Sequence, residues 1–248
     1  EVSMSFDEPA THCLDDPLLK KNYKTKQCSE AMMGDIVLLP EGAAHLKVSV
    51  EAAAPVRTID IFNGVDHLEC YRPYAESDLG DRITVLWEGA EYRGRFRAVS
   101  WDGSAFFDEA TIASVVPVNF FNRDKKLDMR SRSELSWQSV TTGNFAGFTA
   151  KLKDSKLGSI TLKTPLINES VKLIDIGYEG KLFDASDILP RRIQMFRLPD
   201  ENPHKSVTIK RKLEPQIGRD NPFYVRITLE DGTQAWSSPI YILREIEN

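Results

Sequence analysis

The chain has little of what most enzyme chemistry needs. Its four histidines, His12, His45, His67 and His204, are dispersed. None has a second His or Cys at the C-x2-C or H-x3-H spacing that puts two metal ligands on one local turn. The nearest cluster, His12-Cys13 with Cys28, lacks that spacing, so neither a metal site nor a cofactor is expected. There is no G-x-S-x-G nucleophile elbow, no G-x-x-x-x-G-K phosphate loop and no G-x-G-x-x-G fingerprint. The neighbouring carboxylates Asp15-Asp16 and Glu230-Asp231 read as turn formers, since glycosidase chemistry needs two carboxylates facing each other across a cleft. No catalytic residue can be named on these grounds. Cysteine is also sparse: Cys13, Cys28 and Cys70 are an odd set without regular spacing, which excludes a disulfide framework. A Cys13–Cys28 pair is open only in an oxidising compartment, and three partly buried free thiols are the alternative. No apolar run approaches the roughly 20 residues that span a bilayer. No segment keeps a 3.6-residue period long enough for the helical crossover that parallel strand pairs require.

What is present is an ordinary globular composition. The 248 residues are 41% hydrophobic and 28% charged, enough to bury a core without disulfide or metal staples. The net charge of −5 and a pI near 5.5 argue against a general nucleic-acid binder, which carries net basic charge to neutralise phosphates. The sequence begins at Glu1 with neither a basic n-region nor an apolar h-region. It reads as a processed chain or a piece of one, and its compartment stays open between periplasmic, secreted and cytoplasmic.

Short strands dominate the pattern. Leu46, Val48 and Val50 alternate with Lys47, Ser49 and Glu51, the period-two signature of a half-buried strand. Val56, Ile59 and Ile61 lead into Asn63-Gly64, a tight-turn signal. Ile83, Val85 and Trp87 alternate likewise, as do Phe148, Ala150 and Leu152, and then Ile160 and Leu162. Ile193, Met195 and Arg197 follow, then Val207 and Ile209. The chain closes on Phe223, Val225, Ile227 and Leu229, an Asp231-Gly232 turn, and a strand containing Trp236. This spacing predicts an all-β fold of two β-sandwich-like units, immunoglobulin-like or jelly-roll-like. The expected layout is an irregular N-terminal arm over 1–33, a first sandwich over 34–116 and a second over 117–248. The boundary falls at Val116-Pro117, and the charged stretch Arg123–Glu134 is read as an exposed loop.

Two groups of residues are candidates for ligand binding. Arg93, Arg95 and Arg97 alternate with Tyr92, Gly94, Phe96 and Ala98. On a strand, period two would align three guanidinium groups on one face, suited to an anion, an acidic glycan or a carboxylate-rich surface. The competing reading is a solvated sheet face balanced by Glu88 and Glu91. The tryptophans are the second group: Trp101 and Trp236, with Trp87 and Trp137, could stack on sugar rings or plug a core. Ser237-Ser238 reads as hydroxyls satisfying a strand edge or a turn.

Three segments together resemble a known family. They are Arg82-Ile-Thr-Val-Leu-Trp-Glu-Gly89 running on to Ser100-Trp-Asp-Gly103, then Ser136-Trp-Gln-Ser-Val-Thr-Thr-Gly143, then Asn221-Pro-Phe-Tyr-Val-Arg-Ile-Thr-Leu-Glu-Asp-Gly232 through Pro239. In this order they are similar to the carboxy-terminal region of the bacterial domain-of-unknown-function family 3604, which resembles the PHP (polymerase and histidinol phosphatase) metal-dependent hydrolases. The similarity spans about residues 33–242. It implies a non-catalytic region with a structural, active-site-covering or assembly role. Its partner would be an upstream PHP-like domain of the same protein that carries the metal ligands, so no ligand or catalytic residue transfers to this chain. The alternative is an independent carbohydrate- or other ligand-binding module. Neither nucleic acid nor membrane is an expected partner, and an apolar patch left uncovered would favour self-association.

Overall fold

A computed structural model describes residues 1–16, 21–94, 97–186 and 189–244. It is almost entirely strand, as expected. Among the described residues no helix is long and apolar enough to cross a membrane. The chain divides into two compact units, but not where the composition pointed. One unit is Glu1–Pro73 together with Pro203–Asn248, and the other is the intervening Tyr74–Asn202.

The first unit opens with β1 (Val2–Cys13), β2 (Thr25–Met32), β3 (Ile36–Leu38), β4 (Ala44–Glu51), β5 (Val56–Asn63) and β6 (Asp66–Tyr71). The second holds β7 (Leu79–Gly89), β8 (Val99–Ser100), β9 (Gly103–Asp108), β10 (Ile112–Val118), β11 (Leu127–Met129) and β12 (Glu134–Trp137). It continues through β13 (Val140–Thr141), β14 (Phe145–Leu152), β15 (Ser159–Lys163), β16 (Asn168–Lys172), β17 (Lys181–Asp184) and β18 (Arg191–Pro199). The chain then returns to the first unit with β19 (Ser206–Leu213), β20 (Asp220–Leu229), β21 (Gln234–Trp236) and β22 (Ile240–Leu243).

Three expectations are corrected by this layout. The N-terminal arm is no arm: β1 is antiparallel to β2, β3 and β4 and lies inside the sheet, with Val2, Met4 and Ala10 in the core. Its apolar positions are spread among Ser, Asp, Glu and Pro, which hid the alternation. The boundary at Val116-Pro117 falls within β10, where Pro117 lies opposite Phe148. The charged loop contains β11, which pairs with β12. A linear cut cannot find a unit assembled from both ends of the chain.

The first unit is one ten-stranded sheet in the order β19-β4-β1-β3-β22-β20-β5-β6, with β2 on β1 and β21 on β20. It curls on itself. Leu46 and Val48 of β4 share a core with Ile59 and Ile61 of β5 and Phe223 and Val225 of β20, although β4 lies far from β5 and β20 in strand order. The end strands meet through side chains: Arg211 of β19 donates from Nε and Nη2 to Glu69 of β6 at 2.7–2.9 Å, and its guanidinium lies 5.3 Å from the Tyr71 ring centroid. This forked geometry ties edges that have no backbone ladder between them. The start of β20 is fixed by Asn221, which is fully buried. Its Oδ1 accepts from Asn63 Nδ2 and from the Gln216 N–H, while its Nδ2 donates to the carbonyls of Gln216, Arg219 and Ile242. A buried amide so fully bonded anchors three segments at one point.

The second unit is a sandwich. The sheet β10-β14-β7-β18-β17 faces the sheet β11-β12-β9-β15-β16, and one core holds Ile83, Val85 and Trp87 of the first with Phe107, Trp137 and Ile160 of the second. Trp87 stacks on Trp137 at 4.8 Å between ring centroids and meets Phe120 edge-on at 6.1 Å. Every indole N–H in this core is bonded: Trp87 donates to Ser139 Oγ at 2.9 Å, Trp101 to Thr141 Oγ1 at 2.9 Å, and Trp137 to the Trp101 carbonyl. Buried tryptophans are tolerated on that condition. Arg197 serves as an internal clamp, donating to the carbonyls of Ile176 and Gly80 at 2.9 Å and to that of Leu173.

Candidate ligand-binding face

The closing strands build the candidate site. Along β20 the side chains of Phe223, Val225 and Leu229 enter the core, so Tyr224, Arg226 and Thr228 must project from the other face. Register carries that face across neighbouring strands, because directly paired residues point the same way. Trp236 of β21 lies opposite Arg226, and Arg226 lies opposite Asp60 of β5. Tyr224 lies opposite Phe62, and Phe62 opposite His67 of β6. Gln234, Thr228 and Thr58 form the next row.

The chemistry of this face is dense. Asp60 is buried and accepts from Arg226 Nε and Nη2 at 3.3 and 3.2 Å and from Thr58 Oγ1 at 3.3 Å. His67 Nε2 lies 3.0 Å from the other Asp60 oxygen. A buried carboxylate held by a guanidinium and an imidazole is a satisfied charge, and it fixes the orientation of both partners. Phe62 stacks on Tyr224 at 4.9 Å with an interplanar angle of 8°, and the Arg226 guanidinium lies 5.3 Å from the Phe62 ring centroid. Trp236 stands beside this group with 59% of its surface exposed. A planar apolar ring beside a fixed donor, a carboxylate and an imidazole can stack on one face of a ligand while polar groups bond its rim.

The other sequence candidates do not form a site. Trp101 is fully buried in the second unit and plugs its core, which corrects its reading as a stacking residue. The arginine row also fails: β7 ends at Gly89 and β8 begins at Val99, so Arg93 and Arg97 lie on a connection. Arg93 sits 5.6 Å over the ring of its neighbour Tyr92. Arg97 has φ 50° and donates from Nε to the Glu91 carbonyl at 3.0 Å. Arg95 lies outside the described residues. The carboxylates expected to balance this row, Glu88 and Glu91, pair instead with Arg192 and Arg191 at the start of β18. Alternation over seven residues resembled a strand, but Gly94 at φ 113° and Arg97 at positive φ break the extended path.

Ser237 does satisfy a strand edge, its Oγ accepting the Val225 N–H at 3.1 Å. The three cysteines are free; Cys13 is buried and the others half-buried. In the β1–β2 ladder Cys28 lies opposite Ala10 and Cys13 opposite Thr25. That offset of three residues is about 10 Å along a strand, too far for a disulfide. Burial pushes both thiols above their ordinary pKa. Three histidines are carboxylate-paired: His12 with Asp35, His45 with Asp7 and His67 with Asp60. Among the described residues no group of three or more His, Cys, Asp or Glu could hold a metal ion.

Sequence reasoning passed over Asp60, Phe62, His67, Tyr224 and Arg226. The signal was available: once the inward residues of β5 and β20 are identified, the intervening residues form the outward set. Comparison with family models finds no match, and comparisons with curated proteins and with solved structures find none either.

Proposed function

We propose that this chain is a non-catalytic β region that binds carbohydrate through the outer face of β21, β20, β5 and β6. The observation that carries the reading is the exposed Trp236 in register with Arg226, which is itself locked to buried Asp60. The indole offers a stacking platform, and Arg226, His67 and Gln234 offer hydrogen-bonding groups at a fixed distance from it. The test is a glycan array probed with the wild-type chain and with Trp236→Ala. Binding to a defined set of neutral glycans that Trp236→Ala loses supports the reading. An array without a bound glycan, or equal binding by the variant, overturns it.

A second reading is favoured by the burial of Trp101 and by the resemblance to family 3604. Here the chain is the carboxy-terminal β region of a PHP-like metallohydrolase homologue, with a covering or assembly role towards an upstream domain. The coding sequence before Glu1 tests it: a His- and Asp-rich α/β barrel supports it, and an unrelated upstream domain removes it. The two readings are compatible, since a binding face can belong to a region that also covers a hydrolase.

A further inference from the structure

The outer face of β4 and β19 carries a different kind of surface. On β4 and β19 the side chains of Leu46, Val48, Val207 and Ile209 are buried, so the alternate residues face outward. Lys47 lies directly opposite Lys210, and His45 directly opposite Lys212. Lys47, Lys210 and Lys212 are all exposed. Like charges directly opposite on neighbouring strands destabilise a sheet. Among the described residues none of these three ammonium groups has an ion-pair partner. Two of the nearby acids are engaged elsewhere, and the lysines outnumber the third. Asp7 is bonded to His45 at 2.6 Å, with Lys212 contributing a longer-range attraction. Glu51 accepts from the Ser206 hydroxyl. The three lysines line a trough of about 580 Å³ together with Ser3, Ser5 and His45, and Glu30, opposite Ser5, is the one carboxylate in that lining. In a chain of net charge −5, this cluster runs against the overall composition.

We propose that this trough binds an acidic polysaccharide, a sugar chain bearing carboxylate or sulfate groups. The lysines supply unneutralised charge and the serines supply hydroxyl partners. The trough has no Phe, Tyr or Trp in its lining, whereas single-stranded nucleic acid relies on stacking platforms and protein partners on buried aromatic or apolar anchors. This site is independent of the Trp236 face.

The test is a binding titration of the wild-type chain with heparin, polygalacturonate, neutral dextran and a single-stranded oligonucleotide. The same titrations are run on Lys47→Ser/Lys210→Ser, on Lys212→Ser and on Trp236→Ala. Heparin and polygalacturonate should bind and dextran should not. Affinity should fall about tenfold or more in the double variant, and should fall steeply between about 50 and 200 mM salt. Lys212→Ser should weaken binding too, while Trp236→Ala should bind acidic chains as the wild type does. The double variant should melt at the same temperature or higher, because the opposed charges are gone, which separates lost binding from lost fold. No binding of either acidic chain at low salt overturns the proposal, as does undiminished binding by the double variant or tighter binding of the oligonucleotide than of both polysaccharides.

Discussion

Trp87, Trp101 and Trp137 lie inside the sandwich of the second unit with each indole N–H bonded, whereas Trp236 of the first unit stands on an outer face with more than half its surface open. The first unit fills its core with aliphatic residues and Phe223, and sends Phe62, Tyr224 and Trp236 outward beside charged groups. The difference teaches that an aromatic ring is not a marker of a site by itself. What distinguishes the two cases is the side of the pleat on which the ring falls and what the opposite residue on the next strand offers. In the second unit Trp87 faces Trp137 across two sheets and finds Ser139 for its N–H. In the first, Trp236 has Arg226 opposite it on β20 and keeps 59% of its surface exposed.

The largest effects should come from breaking the buried side of this contrast. Trp87→Ala or Trp137→Ala removes a stacked core ring and should cost about 3–5 kcal/mol in urea unfolding. Trp236→Ala should stay within about 0.5 kcal/mol of wild type, as surface changes do. Comparable losses at both places would erase the comparison. Next in size is Arg197→Met, which leaves the carbonyls of Ile176, Gly80 and Leu173 without their charged donor. A loss of about 3 kcal/mol is expected from chemical denaturation, since a buried acceptor left unpaired keeps its desolvation cost. Asn221→Ala should destabilise by about 1–3 kcal/mol for the same reason, and a near-neutral result would remove Asn221 as an anchor of β20.

Smaller effects come from titratable groups. Burial raises the Cys13 and Cys28 thiols, so the native state favours the protonated form. Their contribution to stability is therefore fully present below the ordinary thiol pKa and is lost as pH rises through the raised value. Iodoacetamide at neutral pH should label both far more slowly than in the unfolded chain; equal rates would contradict the burial. Smallest is Asp7, whose carboxyl the hydrogen bond from His45 holds below its ordinary value of 3.8. A depressed carboxylate stabilises above its unfolded pKa and loses that contribution as pH falls through the folded one. The stability gap between wild type and Asp7→Asn should thus shrink as the buffer is acidified through the folded carboxyl pKa.

The inward half of most strands was legible in the sequence. Ile83, Val85, Ile59, Ile61 and Val225 sit in alternating apolar runs that only a half-buried strand explains. The Asn63-Gly64 and Asp231-Gly232 turns were equally readable, and both glycines adopt positive φ. What escaped was non-local. The assembly of the first unit from residues 1–73 and 203–248 depends on β22 lying parallel to β3 and on β19 pairing with β4 and β20 with β5, contacts that no local pattern encodes. The candidate face escaped for the same reason. Asp60, His67 and Arg226 are ordinary surface residue types until register sets β5 beside β20. The arginine row failed in the opposite direction, a clean local alternation on a segment whose backbone is not extended.

The contrast between the two units is tested most directly by acrylamide quenching of tryptophan fluorescence, with and without a bound neutral oligosaccharide. The expected result is one readily quenched component among the four tryptophans, absent in Trp236→Phe and protected when the sugar binds. Quenching unchanged in Trp236→Phe, or a bound sugar that leaves the quenched component untouched, would contradict a structural role for the buried tryptophans and a binding role for the exposed one.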